Sequence, residues 1–203
     1  MSKVIFITWD FIHPSNNGYK KSVNGRIEES KIDNDEVMVI QVRNDGALDK
    51  NRIKEYSDGI IKNVNIEVPK LKGLNIVKSI FSIKTREEIL YGTYEIGSVI
   101  NRLITEFNPD YIQVEGYWAL GILPKSINKP VRLVVHDVMK NLYLSDIKSN
   151  SSYFQKINSL NKLLRTFAFE SKNIKEYNIS EVIYLTNDDK KWYLKKLNHI
   201  KIH

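Results

Sequence analysis

Residues 3–21, KVIFITWDFIHPSNNGYKK, run from an apolar stretch through Trp, Asp, His and Asn into a glycine and two lysines. The first seven, KVIFITW, form the short continuous apolar run of a strand buried on both faces, the state of a central strand in a parallel sheet. From Gly18 onward, Tyr19, Val23 and Ile27 recur at helical spacing, and polar residues fill the opposite face as far as Lys31. A buried strand that passes through a polar loop into an amphipathic helix is the opening of an α/β fold.

The rest of the chain repeats the alternation. EVMVIQV (36–42) reads as a second strand and IIKNVNIEV (60–68) as a third, ended by Pro69. Thr85 and Glu88 make a capping box, after which Ile89, Ile96, Ile100, Leu103 and Phe107 mark one long helix stopped before Pro109. Strands DYIQVE (110–115) and RLVVH (132–136) bracket a short helix around 118–127. A further helix carries Phe154, Ile157, Leu164, Phe167 and Ile174 on one apolar face. EVIYL (181–185) is the last clear strand, followed by a helix that Thr186 caps and that contains Trp192 and Leu197. The expected architecture is one Rossmann-like domain over 1–203, a doubly wound, mostly parallel sheet with helices on both faces.

Composition narrows the function classes. With 203 residues and 42% hydrophobic content the chain can close one core. It has no cysteine, and His13, His136, His199 and His203 lack HExxH or HxH spacing, so no metal is expected. No apolar run reaches the roughly 18 residues of a membrane span, and MSKVIFITW has no cleavable signal pattern, so the expected location is the cytoplasm. The net charge is +7, and residues 140–203 hold 12 Lys or Arg against 6 Asp or Glu. Such an excess suits an anionic partner or only a solvated helix surface. Helix-turn-helix and RNP motifs are absent, so nucleic acid is not an expected partner.

In an open parallel sheet the loops at the carboxyl ends of the strands gather on one edge, where ligands bind. That edge collects Asp10, His13, Asn16, Asn17 and Gly18, then Glu115, Gly116, Tyr117 and Trp118, then His136 and Asp137, then Thr186, Asn187 and Asp188. Polar groups mixed with aromatics suit a hydroxyl-rich ligand such as a sugar. Gly18 at a helix start permits close backbone approach, and the free N–H groups of the first turn favour a phosphate, with Lys20 and Lys21 adding charge. Neither GxGxxG nor GxxxxGK[ST] is present, and an Asn-Gly pair before a helix also forms an ordinary turn. In the same way His136 reads either as a site residue or as a satisfied polar group beside the core, Asp137 as a helix cap, and the tryptophans as packing. LKGLNIVKSIFSIKTR (71–86) has Lys72, Lys78, Lys84 and Arg86 with no acidic residue, and reads either as a core-facing helix or as a basic amphipathic helix at an anionic membrane surface.

Together, FITWDFIHPSNNGYKK, NPDYIQVEGYW, KPVRLVVHDV and FESKNIKEYNISEVIYLTNDDKKW resemble, in order and spacing, the N-terminal domain of a GT-B glycosyltransferase of the group 1 type, family 4. The resemblance implies the acceptor-side half of a cytoplasmic enzyme that moves a sugar from a nucleotide-sugar donor to a glycan or lipid-linked acceptor in cell-surface polysaccharide synthesis, with retention of configuration. It implies no cofactor beyond the donor and no metal, and it allows peripheral docking at the membrane face. By the same resemblance His136 lies by the transferred sugar and is the catalytic candidate. Asp10, His13, Asn17, Gly18, Tyr19, Glu115, Gly116, Tyr117, Asp137 and Thr186 are the substrate-binding candidates. The family's glycine-rich loop maps onto Asn17 and Gly18, so one of its usual paired glycines is Asn here. The donor-binding second domain would begin just after residue 203, with LNHIKIH as the first linking strand. The alternative is a standalone Rossmann-like module that binds a nucleotide or partner without catalysis.

Overall fold

The computed structural model describes residues 1–45, 48, 50, 52–58, 61–73, 82, 84–125, 127–136, 139–149, 152–185, 190 and 201–202. Its eight strands are β1 (Lys3–Thr8), β2 (Glu36–Asp45), β3 (Arg52–Asp58), β4 (Ile61–Pro69), β5 (Tyr111–Glu115), β6 (Val131–Val135), β7 (Ile179–Tyr184) and β8 (Lys201–Ile202). They form one sheet in the order β3-β4-β2-β1-β5-β6-β7-β8. Every pairing is parallel except β3 with β4. From β1 the chain winds outward through β2 and β4, then returns to β5 on the other side of β1 and winds outward again. The reversal between β1 and β5 is the switch point at which the connections part and leave a crevice.

The pleat separates two cores. Val4 and Phe6 of β1 and Val37 and Val39 of β2 meet Val23 and Ile27 of helix α1 (Gly18–Ile32) on one face. Ile5, Ile7, Met38 and Ile40 point to the other face, where Ile96, Ile100 and Leu103 of α3 (Ile96–Phe107) cover them. These alternate residues are at most 1% exposed, which is why the central strands read as unbroken apolar runs. Each fully buried aliphatic side chain contributes about 1.5–3 kcal/mol.

Several expected elements differ. The sequence reading passes over β3, which is exposed along residues 52–57, carries Arg52, Lys54 and Glu55 there, and pairs antiparallel with β4, and Pro69 is the last residue of β4 rather than its stop. The stretch read as one long helix is two, α2 (Arg86–Thr93) and α3, because Glu95 adopts a left-handed conformation at φ 53 and breaks the hydrogen-bond ladder. The capping box is present: Thr85 Oγ1 accepts from Glu88 N–H, and Thr85 N–H donates to the Glu88 carboxylate at 2.8 Å. The helix expected at 118–127 is a single turn, α4 (Tyr117–Leu120).

After β6 come α5 (Met139–Ser149) and α6 (Tyr153–Glu176). On α6 it is Ser159, Leu163 and Thr166 that are buried, while Phe154, Ile157 and Leu164 of the apolar face are 84%, 48% and 60% exposed. Phe167 alone of that face's described side chains packs partly on the core. The helix expected after Thr186 and most of the 71–86 segment lie outside the described residues. Within LNHIKIH, Lys201 and Ile202 pair in parallel with β7 as the edge strand β8.

Candidate functional site

Four of the site candidates, Tyr19, Glu115, Gly116 and His136, come together beside the switch point on the α1 face of the sheet. Thr8 pairs with Glu115, and Glu115 with Val134, so the carboxyl ends of β1, β5 and β6 lie abreast. Thr8, Gln113, Glu115 and His136 have the parity of Val4 and Phe6, so on this face the apolar core gives way to polar side chains at the edge.

Glu115 is completely buried. An isolated carboxylate there would be prohibitively costly, so its partners matter. Arg26, from the third turn of α1, forms a bidentate pair with it: Nε donates to Oε1 at 2.9 Å and Nη2 to Oε2 at 2.6 Å. Gln113 Nε2 donates to Oε1 at 2.7 Å, and His136 Nε2 lies 2.9 Å from Oε2. Burial would raise the Glu115 pKa, but the hydrogen bonds from His136 and Arg26, the Arg26 charge and the Gln113 amide together hold it below the ordinary carboxylate value. Glu115 is therefore ionised. Arg26 is steadied by Ser22, whose Oγ accepts from Nη1 at 3.0 Å.

Aromatic residues wall this cluster. Tyr19 donates its hydroxyl to the Glu115 backbone carbonyl at 3.1 Å and stands edge-on to the His136 ring, with centroids 4.7 Å apart. Burial first, and then the Glu115 charge, raise its phenol well above the ordinary range, so the proton stays in that bond. Trp9 packs on Tyr19 at 5.3 Å and is 38% exposed. Gly116 adopts φ +89, which favours glycine, and a Cβ there would press on Trp9 at 3.3 Å from its Nε1. Beyond Trp9 opens a cavity of about 330 Å³, lined also by Asn44, Lys70, Glu87, Tyr91 and Trp118.

The other candidates fall apart from this cluster. Asn17 caps α1, its Oδ1 accepting from Lys20 N–H at 2.9 Å, which occupies one of the first-turn donors. Lys20 pairs with Asp10 at 3.3 Å. Gly18 is exposed, and nothing stands within 4 Å of where its Cβ would be. His13 is exposed, and Tyr117 is 3% exposed within the core of the opposite face. Asp137 and Thr186 lie outside the described residues. Sequence reasoning missed Arg26 and Gln113, although Tyr19, Ser22 and Arg26 share one helical face and Gln113 is a polar residue in a buried strand. Among the described residues no three His, Cys, Asp or Glu side chains are grouped to hold a metal ion.

No protein-family model and no curated protein matches the sequence. Among solved structures the chain is similar to trehalose-6-phosphate synthase from E. coli bound with UDP-2-fluoro glucose, with TM-score 0.51 and 10% identity. It is also similar to the α,α-trehalose-phosphate synthases of Burkholderia xenovorans, with TM-score 0.54 and 9% identity, and Burkholderia multivorans, with TM-score 0.52 and 14% identity. In each case 97% of this chain is covered but only 43% of the other, so it spans less than half of their length. At such identities the likeness concerns fold. The chain has the fold of a Rossmann-like portion of a GT-B glycosyltransferase.

Proposed function

We propose that the chain is the acceptor-side part of a glycosyltransferase that moves a sugar from a nucleotide-sugar donor to a glycan or lipid-linked acceptor. The observation that carries this reading is the join between the His136–Glu115–Arg26 cluster and the aromatic cavity, with Trp9 and Tyr19 between them. Sugar rings stack on aromatic faces through their C–H surfaces while their hydroxyls need charged or amide partners, and Trp9, Trp118 and Tyr91 beside Asn44, Lys70 and Glu87 supply both. In this reading His136 is the residue beside the transferred sugar, as the sequence resemblance implies. The carboxylate behind it is neutralised by Arg26, so it is a support for the imidazole rather than a nucleophile. Retention of configuration and a role in cell-surface polysaccharide synthesis are part of the proposal and rest on the sequence resemblance. A nucleotide-binding module is less well supported, because Asn17 and Asp10 already engage the α1 N-terminus and Lys20.

The same reading extends to an anionic bilayer, where lipid-linked acceptors reside. Tyr153, Phe154, Ile157, Leu160 and Leu164 of α6 are 48–84% exposed. Residues 147–169 contain Lys148, Lys156, Lys162 and Arg165 and no acidic residue. An apolar face flanked by cations complements an anionic membrane surface. Among the described residues no helix is long and apolar enough to cross a membrane, so the contact is interfacial.

The test is titration of the 203-residue chain with mono- and disaccharides, following the indole N–H resonances of the three tryptophans. Sugar-dependent shifts of Trp9 and Trp118, lost in Trp118→Ala, are expected; no response to any sugar overturns the reading. In protein that transfers sugar, His136→Ala should lower kcat roughly ten- to a thousand-fold.

A further inference from the structure

His136 touches two groups of opposite charge through the same ring nitrogen: Nε2 is 2.9 Å from Glu115 Oε2 and 3.2 Å from Arg26 Nη2. Both cannot be hydrogen bonds. Arginine only donates, and an ionised carboxylate only accepts. Were Nε2 bare, Arg26 could donate to it, but its lone pair would then face the carboxylate oxygen at 2.9 Å. With hydrogen on Nε2 the shorter contact is a charge-assisted hydrogen bond to an oxygen that also accepts one of the two Nη2 hydrogens at 2.6 Å, and the 3.2 Å approach of Nη2 to Nε2 is a contact without a hydrogen bond. The hydrogen therefore sits on Nε2. In the neutral ring that leaves the lone pair on Nδ1, which makes no hydrogen bond among the described residues.

We propose that Glu115 and Arg26 are positioning residues that lock His136 in its Nε2–H tautomer, so that Nδ1 accepts a hydrogen bond from a ligand hydroxyl. Glu115 dictates the tautomer. Arg26 keeps Glu115 ionised and fixes the plane of its carboxylate through two parallel bonds. Tyr19 limits rotation of the ring by packing edge-on against it. Without the carboxylate, the ring would sample both tautomers and present a donor to the ligand for part of the time.

The tautomer is a property of the ligand-free chain, whereas the identification of the ligand hydroxyl with a sugar rests on the proposed function. The two therefore fail separately. The chain is labelled with 15N-histidine, and two-bond 1H–15N correlation spectra are recorded at neutral pH. The His136 pattern is identified by its disappearance in His136→Gln. A single Nε2–H pattern is expected in wild type, giving way to a mixture in Glu115→Gln. Arg26→Lys, which keeps the charge and the packing stem, provides a milder variant should Glu115→Gln fail to fold; it should loosen the pattern without reversing it. An Nδ1–H pattern in wild type overturns the proposal, as does an unchanged pattern in a folded Glu115→Gln protein. If the tautomer is as expected but no sugar shifts the tryptophan resonances, the positioning stands and the glycosyltransferase reading falls.

Discussion

Two regions of this molecule break the usual rule of burial in opposite senses. Beside the β1/β5 switch point, a carboxylate and most of a guanidinium and an imidazole are withdrawn from water: Glu115 is 0%, His136 9% and Arg26 19% exposed at the side chain. On α6, Phe154 and Tyr153 are 84% and 76% exposed, while Ser159 and Thr166 face inward. Folding alone favours neither arrangement. The buried cluster holds charge in place at the cost of desolvating it, and four donors to one carboxylate offset that cost. The outward stripe leaves apolar area in water, which only an added surface can relieve. In the proposed reading one region is organised for geometry and the other for contact.

The largest expected effect comes from unbalancing the buried cluster. Glu115→Ala leaves Arg26 buried beside an imidazole with no counter-charge and should cost about 3–5 kcal/mol in urea unfolding. A loss below about 1 kcal/mol would mean that the pair is as solvated as a surface bridge. Next is Gly116→Ala, which forces a Cβ into a left-handed backbone against Trp9 and should cost about 1–3 kcal/mol. If Trp9 simply moves aside, the intact unfolding curve will reveal it.

Protonation tests the same cluster more gently. The folded-state pKa of Glu115 lies below its unfolded value, so its contribution to stability is fully present above about pH 4.3 and is lost as pH falls through the folded value. Stability of wild type should therefore fall more steeply than that of Glu115→Gln as pH drops below about 4.3. Parallel profiles would show that Glu115 does not carry the acid response.

The smallest effect on folding belongs to α6. Ile157→Ser together with Leu164→Ser should change stability by only about 0.5 kcal/mol per site, because neither side chain packs on the core. The same pair should abolish co-sedimentation with anionic vesicles. Wild-type binding should weaken as salt is added, each nearby cation contributing about 1 kcal/mol. Equal sedimentation of variant and wild type would make the stripe an ordinary exposed surface.

The alternation of strands and helices was legible because each element's pattern is decided locally: the runs at β1 and β2 are apolar on both faces, β5 and β6 keep apolar residues on one face, and Thr85–Glu88 is a self-contained cap. What escaped was decided at a distance. The β3 strand carries Arg52, Lys54, Glu55 and Asp58, with no period-2 apolar face, and exists as a strand because β4 pairs with it. The orientation of α6 is a tertiary outcome, since its helical period is equally compatible with either face turned inward. Of the residues gathered in the buried cluster, Glu115, Gly116 and His136 were named from their places at the sheet edge and Tyr19 from the family resemblance. Arg26 was hidden, because a lone arginine in the middle of a polar helix face looks like a solvated charge until strand β5 brings a carboxylate beneath it.

The antiparallel strand β3 has a bearing on self-association. A sheet margin exposes unpaired amide and carbonyl groups to which a strand of another molecule can add. Here that margin is exposed along Arg52–Ser57, carries Arg52, Lys54 and Glu55, and is tied to β4 through Arg52–Glu67 and Lys62–Glu55. An incoming strand would have to strip water from several charges at once. Polymerisation through β3 is thereby disfavoured, and the long parallel core behind it is shielded from intermolecular β-pairing on that flank.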